Sequence, residues 1–413
     1  MRILYLCHRI PYPPNKGEKI RAFHQLRAMA ERHEVDVFTL VDREADAKHK
    51  SQLAQYCRSV TVARLVPATA RLRALPYLFR RTPLTLPYFY SRDLSRQIRK
   101  ALRERSYDRI FVYSSSMAQY VDLPGEVPVL ADLVDVDSDK WFQYAAHSKF
   151  PWSALYRREG RCLRDYERRI CESASCVLVT TEREAQLLRS FCSSANVRVV
   201  PNGVDTDYFD PSHMKSVSDV SNVPAVIFTG AMDYFPNVNA VAFFARQVLP
   251  LIRKSLPETR FLIVGSNPAA EVKRLEKIPG VEVTGYVPDI RSHLSQAHVF
   301  VAPLSIAAGI QNKILEAMAM ELPVVASKLA VQGLSESVAA MVETAAQPEE
   351  FADEVVRLLQ DPELRRAKGI DSRQAVVKGY SWSDSLTALV RLLENPGERE
   401  TMEPAAIPVM ASR

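Results

Sequence analysis

Short apolar runs alternate with longer amphipathic stretches along the whole chain. In the first half the runs are Arg2–Cys7, Val35–Leu40, Ser59–Arg64, Arg109–Tyr113, Val127–Asp132 and Cys176–Thr180. Their brevity and β-branched content predict buried strands. Between them, Glu18–Glu31, Ala45–Gln55, Asp93–Glu104, Ser153–Ser173 and Glu182–Ser190 carry helical periodicity. The second half repeats the pattern, with strands at Ala225–Thr229, Thr259–Val264, Val281–Thr284, His298–Ala302 and Pro323–Ala326. Its helices are predicted at Asn237–Leu256, Ala269–Lys277, Ile290–Ser295, Ile310–Met320, Pro348–Gln360 and Glu363–Lys378. Strand and helix in alternation imply a parallel sheet covered on both faces.

The fold class read from this pattern is α/β, with two Rossmann-like parallel domains facing across a cleft. The expected division is 1–205, 206–380, a C-terminal helix over 381–394 packing back toward the first domain, and a disordered tail over 395–413. The stretch from Asp210 to Val223 lacks periodicity and reads as the linker. In open parallel sheets ligands bind beyond the carboxyl ends of the strands. Candidate chemistry is therefore sought in the loops that follow each strand.

Composition agrees with this division. A chain of 413 residues, 47% hydrophobic and 25% charged, is long enough for two cores. No apolar run reaches the roughly 18 residues of a membrane-crossing helix. The first apolar stretch is too short for a signal peptide, which sets a cytoplasmic expectation. The six cysteines form no C-x-x-C pair and read as buried free thiols.

Charge changes the picture in one place. Between Arg64 and Arg109, twelve Lys or Arg face three acids, a larger surplus than the net +6 of the whole chain. Leu72, Leu75, Tyr77, Leu78, Phe79 and Tyr88 interleave these cations. A basic segment with an apolar face suits an anionic membrane surface, with a solvated helix pair as the plain alternative. No nucleic-acid-binding module accompanies it, so no nucleic acid partner is expected.

The most informative segment runs from Gly309 through Ile310, Gln311, Asn312 and Lys313 to Glu316, then into Pro323-Val324-Val325-Ala326-Ser327. A glycine at a helix entry lets a ligand approach free backbone N–H groups, an arrangement that suits a pyrophosphate. Lys313 adds a cation, and Glu316 can accept both hydroxyls of a ribose. An ordinary amphipathic helix would explain Ile314, Leu315 and Met318, but not this polar cluster. In the first half, Asp132, Asp135, Asp137 and Asp139 follow a buried strand. Asp135 and Asp137 are the candidates to orient or deprotonate an acceptor hydroxyl, against a plain reading as helix caps. The spacing is not that of a calcium loop, and no metal is expected. His8 is a further candidate from its position at a strand end, and Ser114-Ser115-Ser116 stands at another.

The second half resembles glycosyltransferase family 4, whose members have the two-domain GT-B fold. The family pattern E-G-F-G-x-x-x-L-E-A-M-A-x-G-x-P-V-V-A-S is matched at Gly309, Leu315 to Ala319 and Pro323 to Ser327. The family's first Glu falls on Ala308, and its second Gly on Gln311. Val199-Val200-Pro201-Asn202-Gly203-Val204-Asp205 resembles the segment that enters the family's second domain. Gly230 matches the glycine turn that approaches phosphate. Gly285 to Ile290, with Val287, matches the loop that holds the nucleotide base. His8 to Arg21 resembles the P-P-x-x-G-G-x-x-R loop, in which Lys16, Gly17 and Arg21 would face donor phosphate or acceptor. The Gln-Asn-Lys variant resembles the sugar transferases of exosortase-associated exopolysaccharide systems.

The resemblance implies a retaining transfer from a nucleoside diphosphate sugar to a lipid-linked or growing glycan, without a cofactor or metal. A nucleotide-sugar epimerase of the same fold and a non-catalytic sugar-nucleotide-binding protein are the alternatives. A dinucleotide oxidoreductase is disfavoured, because no G-x-G-x-x-G follows a strand.

Overall fold

The computed structural model describes residues 1–14, 17–214 and 223–397. Lys16, most of the expected linker and the tail from residue 398 lie outside the described residues. Seven strands form the first sheet: β1 (Arg2–Cys7), β2 (Glu34–Val41), β3 (Ser59–Arg64), β4 (Arg109–Tyr113), β5 (Val129–Val134), β6 (Cys176–Val179) and β7 (Val197–Val199). Six form the second: β8 (Ala225–Thr229), β9 (Arg260–Val264), β10 (Val281–Gly285), β11 (Val299–Ala302), β12 (Val324–Ala326) and β13 (Glu343–Thr344). The orders are β3-β2-β1-β4-β5-β6-β7 and β10-β9-β8-β11-β12-β13. Every pairing within them is parallel.

Both sheets have helices on both faces, so their central strands are apolar and buried along nearly their whole length. Strand order reverses between β1 and β4, and again between β8 and β11. Each reversal opens a crevice at the carboxyl ends, where a ligand can enter. The sequence pattern missed β7 and β13, which are too short to show a period. The expected helix over 45–55 is two single turns, Glu44–Ala47 and Lys50–Leu53. The expected Asn237–Leu256 helix is interrupted by a π-turn at Phe244–Val248, just before Pro250. All six cysteines are free thiols.

The chain crosses between the sheets twice, side by side. Val204 bridges Ser381, and the Val204 N–H donates to the Tyr380 carbonyl at 2.9 Å. Trp382 packs against Gly203 and stacks on His24, with ring centroids 4.5 Å apart. A Cβ at position 203 would stand 2.7 Å from the indole, so glycine is required by the close approach. The helix Trp382–Glu394 then packs on the first sheet, placing Leu389 and Leu393 in the cluster that holds Ile3 and Tyr5. Arg109 donates to the Leu393 and Glu394 carbonyls at 2.9 Å each, satisfying the open end of that helix.

One ion pair lies in the centre of the first core. Arg21, on the helix Gly17–Ala30, meets Asp132 at 2.8 Å, and both side chains are buried. Arg21 also donates to the Val200 carbonyl at 2.9 Å and to Asn202 Oδ1 at 3.0 Å. Asp132 accepts further from Gln25 at 2.5 Å and from the Val134 N–H at 2.9 Å. Arg21 is therefore corrected from a phosphate-facing cation to an internal strut. The preceding loop resembles a ligand loop, but the helix turns this side chain inward onto β5. Replacing Arg21 with Leu would leave Asp132 charged and without its ion-pair partner, at a cost of about 3–5 kcal/mol. Calorimetry should show the melting temperature of the first half falling by roughly 6–20 °C, at about 2–4 °C per kcal/mol for a unit of this size. A shift within a degree or two would contradict the strut role.

Candidate functional site

The second-sheet wall is built at three neighbouring strand ends. Gly230, Gly265 and Gly285 close β8, β9 and β10 in left-handed or near-extended backbone, at φ 154, 152 and 70. The Gly230 N–H donates to the Val264 carbonyl at 3.0 Å, and the Gly265 N–H to the Gly285 carbonyl at 3.2 Å. A Cβ at Gly230 would lie 2.6 Å from Asn237 Nδ2 and 3.1 Å from Lys313 Nζ. The bare glycine thus makes room for two polar side chains. Lys313 Nζ donates to Asn237 Oδ1 at 2.5 Å and stands 4.4 Å from the centre of the Phe228 ring.

Lys313 belongs to the helix Asn312–Ala319, whose Ile314, Leu315 and Met318 are buried in the second core. This packing turns Lys313 and Glu316, three residues apart, onto a shared half-buried face. Burial lowers Lys313 to about 7, with the Glu316 charge working against the shift. Burial raises Glu316 to about 7, opposed by Lys313. The pair is held on the edge between ionised and neutral forms, poised for a ligand that supplies charge or hydrogen bonds. Val287 packs on the second core just after Gly285, and Tyr286 beside it is exposed.

The opposite wall reaches the same helix start. Gly309 sits at φ 58, and a Cβ there would collide with the Asp135 carboxylate and meet Thr180 Oγ1. Its N–H donates to Glu184 Oε1 at 3.3 Å. The Ala307 N–H donates to Gln143 Oε1 at 3.3 Å, and Asn202 Nδ2 to Asn312 Oδ1 at 3.0 Å. A Cβ at Gly17 would lie 3.7 Å from Asn312 Nδ2, so two helix starts meet across the cleft. Ile310 is buried, and Gln311 turns back to the Ala308 carbonyl at 3.0 Å.

Asp135 owes its position to the backbone before it. Val134 adopts φ 68, an unusual state for a β-branched residue, where the β5–β6 register shifts. Burial, and then the neighbouring Asp137 charge, raise Asp135, while Lys140 opposes them. Asp137 opens the helix Asp137–Ala146 and accepts from Ser115 Oγ at 3.1 Å. His8 stacks on Tyr113 at 5.9 Å and meets Phe89 edge-on at 5.5 Å. Burial lowers its pKa, so the ring is neutral near pH 7, and Nδ1 has no hydrogen-bond partner among the described residues. Lys140 lies 5.3 Å from the Tyr234 ring, joining the Asp135 loop to the turn after Gly230.

The structure therefore brings Gly17, Gly230, Gly309, Ile310, Gln311, Asn312, Lys313, Glu316, Asp135 and Asp137 to one cleft. It leaves Arg21 inside the first core. Sequence reasoning missed Asn237, Glu184 and Lys140. Thr181-x-x-Glu184 reads as a capping box, and Thr181 does cap its helix, but the Glu184 side chain reaches elsewhere.

Two facing doubly wound sheets with a glycine-lined helix start between them define a GT-B protein. Residues 17–203 match the family described as "Glycosyl transferase 4-like domain", and residues 223–361 match "Glycosyl transferases group 1". The chain belongs to the GT-B glycosyltransferases.

It is 25% identical over 224 residues to "Phosphatidylinositol N-acetylglucosaminyltransferase gpi3 subunit" of Schizosaccharomyces pombe, covering 52% of this chain and 46% of that one. It is 26% identical over 257 residues to "GDP-mannose-dependent alpha-(1-6)-phosphatidylinositol monomannoside mannosyltransferase" of Mycolicibacterium smegmatis, covering 57% and 66%. The aligned parts thus span about half to two thirds of these relatives. Among solved structures, sucrose-phosphate synthase from Thermosynechococcus elongatus superposes with a TM-score of 0.70 at 19% identity, over 95% of this chain and 98% of that one. Anabaena HepE in complex with UDP and glucose gives 0.66 at 15%, over 96% and 100%. These likenesses show the fold.

Nucleoside diphosphate affinity should fall as pH rises through about 7, because Lys313 loses its proton there. Lys313→Met should weaken UDP and GDP about tenfold, the worth of one charge-assisted contact, and flatten that limb. Titration calorimetry across pH reads both effects, and an unchanged limb would remove Lys313 from the site.

Proposed function

We propose that this chain transfers a sugar, with retention of configuration, from a nucleoside diphosphate sugar to a hydroxyl of a lipid-linked or growing glycan in exopolysaccharide synthesis. The observation that carries the reading is the convergence of Gly230, Asn237 and Lys313 on the start of the helix that holds Glu316. The departing diphosphate gathers negative charge. The free N–H groups at Asn312 and the Lys313 ammonium are placed to stabilise it. Glu316 accepts the two ribose hydroxyls, and the main chain around Val287 receives the base. This division of roles asks nothing of a metal.

Asp135 and Asp137 stand on the acceptor side, with His8 behind them at the end of β1. The raised pKa of Asp135 suits a group that takes a proton from an incoming hydroxyl. Asp135 also brings a carboxylate against the Gly309 turn, beside Ala308, where the family pattern places a Glu. This favours a transferase over a protein that only binds sugar nucleotides. Retention rests on the family resemblance, and no protein nucleophile is assigned.

A membrane-borne acceptor fits the exposed face of the first half. Phe79 is 95% exposed, Phe150 84%, Leu72 66% and Trp152 59%. Arg158, on the helix Trp152–Ser173, donates to the carbonyls of Tyr77, Leu78, Arg80 and Thr82. It thereby holds the Phe79 turn beside that helix. Arg71, Arg80 and Arg81 surround the outcrop, so apolar insertion and attraction to anionic lipid act together. Among the described residues no helix is long and apolar enough to cross a membrane. The catalytic face would work at a bilayer surface, on the inner side of the cell membrane.

A panel of nucleoside diphosphate sugars with a polyprenyl-linked glycan acceptor should yield one donor that is consumed, with product formed equally in excess EDTA. Glu316→Ala should weaken UDP or GDP by about tenfold or more, from the loss of hydrogen bonds to a charged acceptor. Turnover of no sugar nucleotide would overturn the reading. Reversing Arg71, Arg80 and Arg81 to Glu should cut co-sedimentation with phosphatidylserine vesicles at least tenfold, at about 1 kcal/mol per cation. Undiminished sedimentation would remove the membrane face.

A further inference from the structure

We infer that Glu184 is a positioning residue of the donor site, its carboxylate tying the Gly309 turn to the Asp135–Asp137 loop across the cleft. The inference rests on the donor reading above and adds a part to it. Glu184 is buried on the helix Glu182–Phe191, which belongs to the first sheet. One oxygen accepts from the Val136 N–H at 2.5 Å, between the two candidate acceptor-side aspartates. The other accepts from the Gly309 N–H at 3.3 Å, at the turn that leads into Asn312 and Lys313. A single side chain thus sets the distance between the two halves of the chemistry.

The chemistry of this link requires an ionised carboxylate. Both partners are N–H donors, so both oxygens must accept. In a protonated Glu184 or a glutamine one of the two terminal groups is itself a donor, so only one of the two amides keeps its acceptor. A buried amide left without a partner costs about 1–3 kcal/mol, and the weaker contact at Gly309 is the one to yield. The groups facing Glu184 are Asp135 on the loop after β5, Glu167 on the helix Trp152–Ser173, and Arg183 on its own helix at 3.6 Å. Burial first, then the Asp135 charge, raise Glu184 to about 7, while Arg183 and the two amides oppose them. Below that pH the carboxylate gains a proton, and the hold on the Gly309 turn is lost.

The test is UDP and GDP affinity measured by calorimetry from pH 5.5 to 8.5, on the full chain and on Glu184→Gln. Nucleotide binding to the wild type should be tightest near pH 7, weakening on the alkaline side as Lys313 loses its proton and on the acid side, the limb read here, as Glu184 gains one. The plot of log affinity against pH should be shallower by one proton in Glu184→Gln. At pH 8 the variant should bind about tenfold more weakly, with its fold intact by circular dichroism. Equal affinity and equal slope in the two proteins would overturn the inference. A variant that melts earlier but keeps both quantities would reduce Glu184 to a structural residue. Should Glu184→Gln not fold, Glu184→Asp decides on affinity alone: its shorter carboxylate keeps the charge but lets go of one amide, so binding at pH 8 should weaken about tenfold, and unchanged binding would overturn the inference. Failure of the wild type itself to bind any nucleotide would be a failure of the donor reading instead, and is separately visible.

Discussion

The arrangement depends on one constraint: the turn that begins the helix Asn312–Ala319 is held from the other sheet. Gln143, Glu184 and Asn202 of the first half bond Ala307, Gly309 and Asn312 of the second. Asn202 is fixed in turn by Arg21, and Arg21 by Asp132. A buried ion pair in one core therefore determines where a helix start in the other core can stand. Such a pair contributes little net stability by itself, but removing half of it is costly. Geometry, more than stability, is what this one supplies.

The electrostatics of the cleft follow from the same closeness. Lys313 and Glu316 are drawn toward neutrality by burial, and Asp135 and Glu184 are raised by burial and by neighbouring carboxylates. An interior that holds several groups near their switching points suits a reaction in which charge moves from a sugar bond to a diphosphate. The positive ends of two helices, starting at Gly17 and Asn312, face this region from opposite walls.

Much of this was legible in the sequence. The strand and helix alternation pointed to both sheets, because parallel strands buried on two faces leave continuous apolar runs. Gly230, Gly309, Lys313 and Glu316 were legible because glycine and charge at a helix entry have few structural explanations. Arg21 was misread, and Glu184 was not singled out at all. The reason is the same for both. Their partners lie 111 and 125 residues away in the chain, and local spacing carries no information about them. The π-turn and the two short edge strands escaped because a few residues show no period.

A crystal structure with bound UDP or GDP tests the central claim most directly. It should place the diphosphate oxygens about 3 Å from the first-turn amides of the helix Asn312–Ala319 and from Lys313 Nζ, with both ribose hydroxyls on Glu316. A nucleotide seated elsewhere in the molecule, or one that leaves Glu316 without a hydroxyl, would contradict the account.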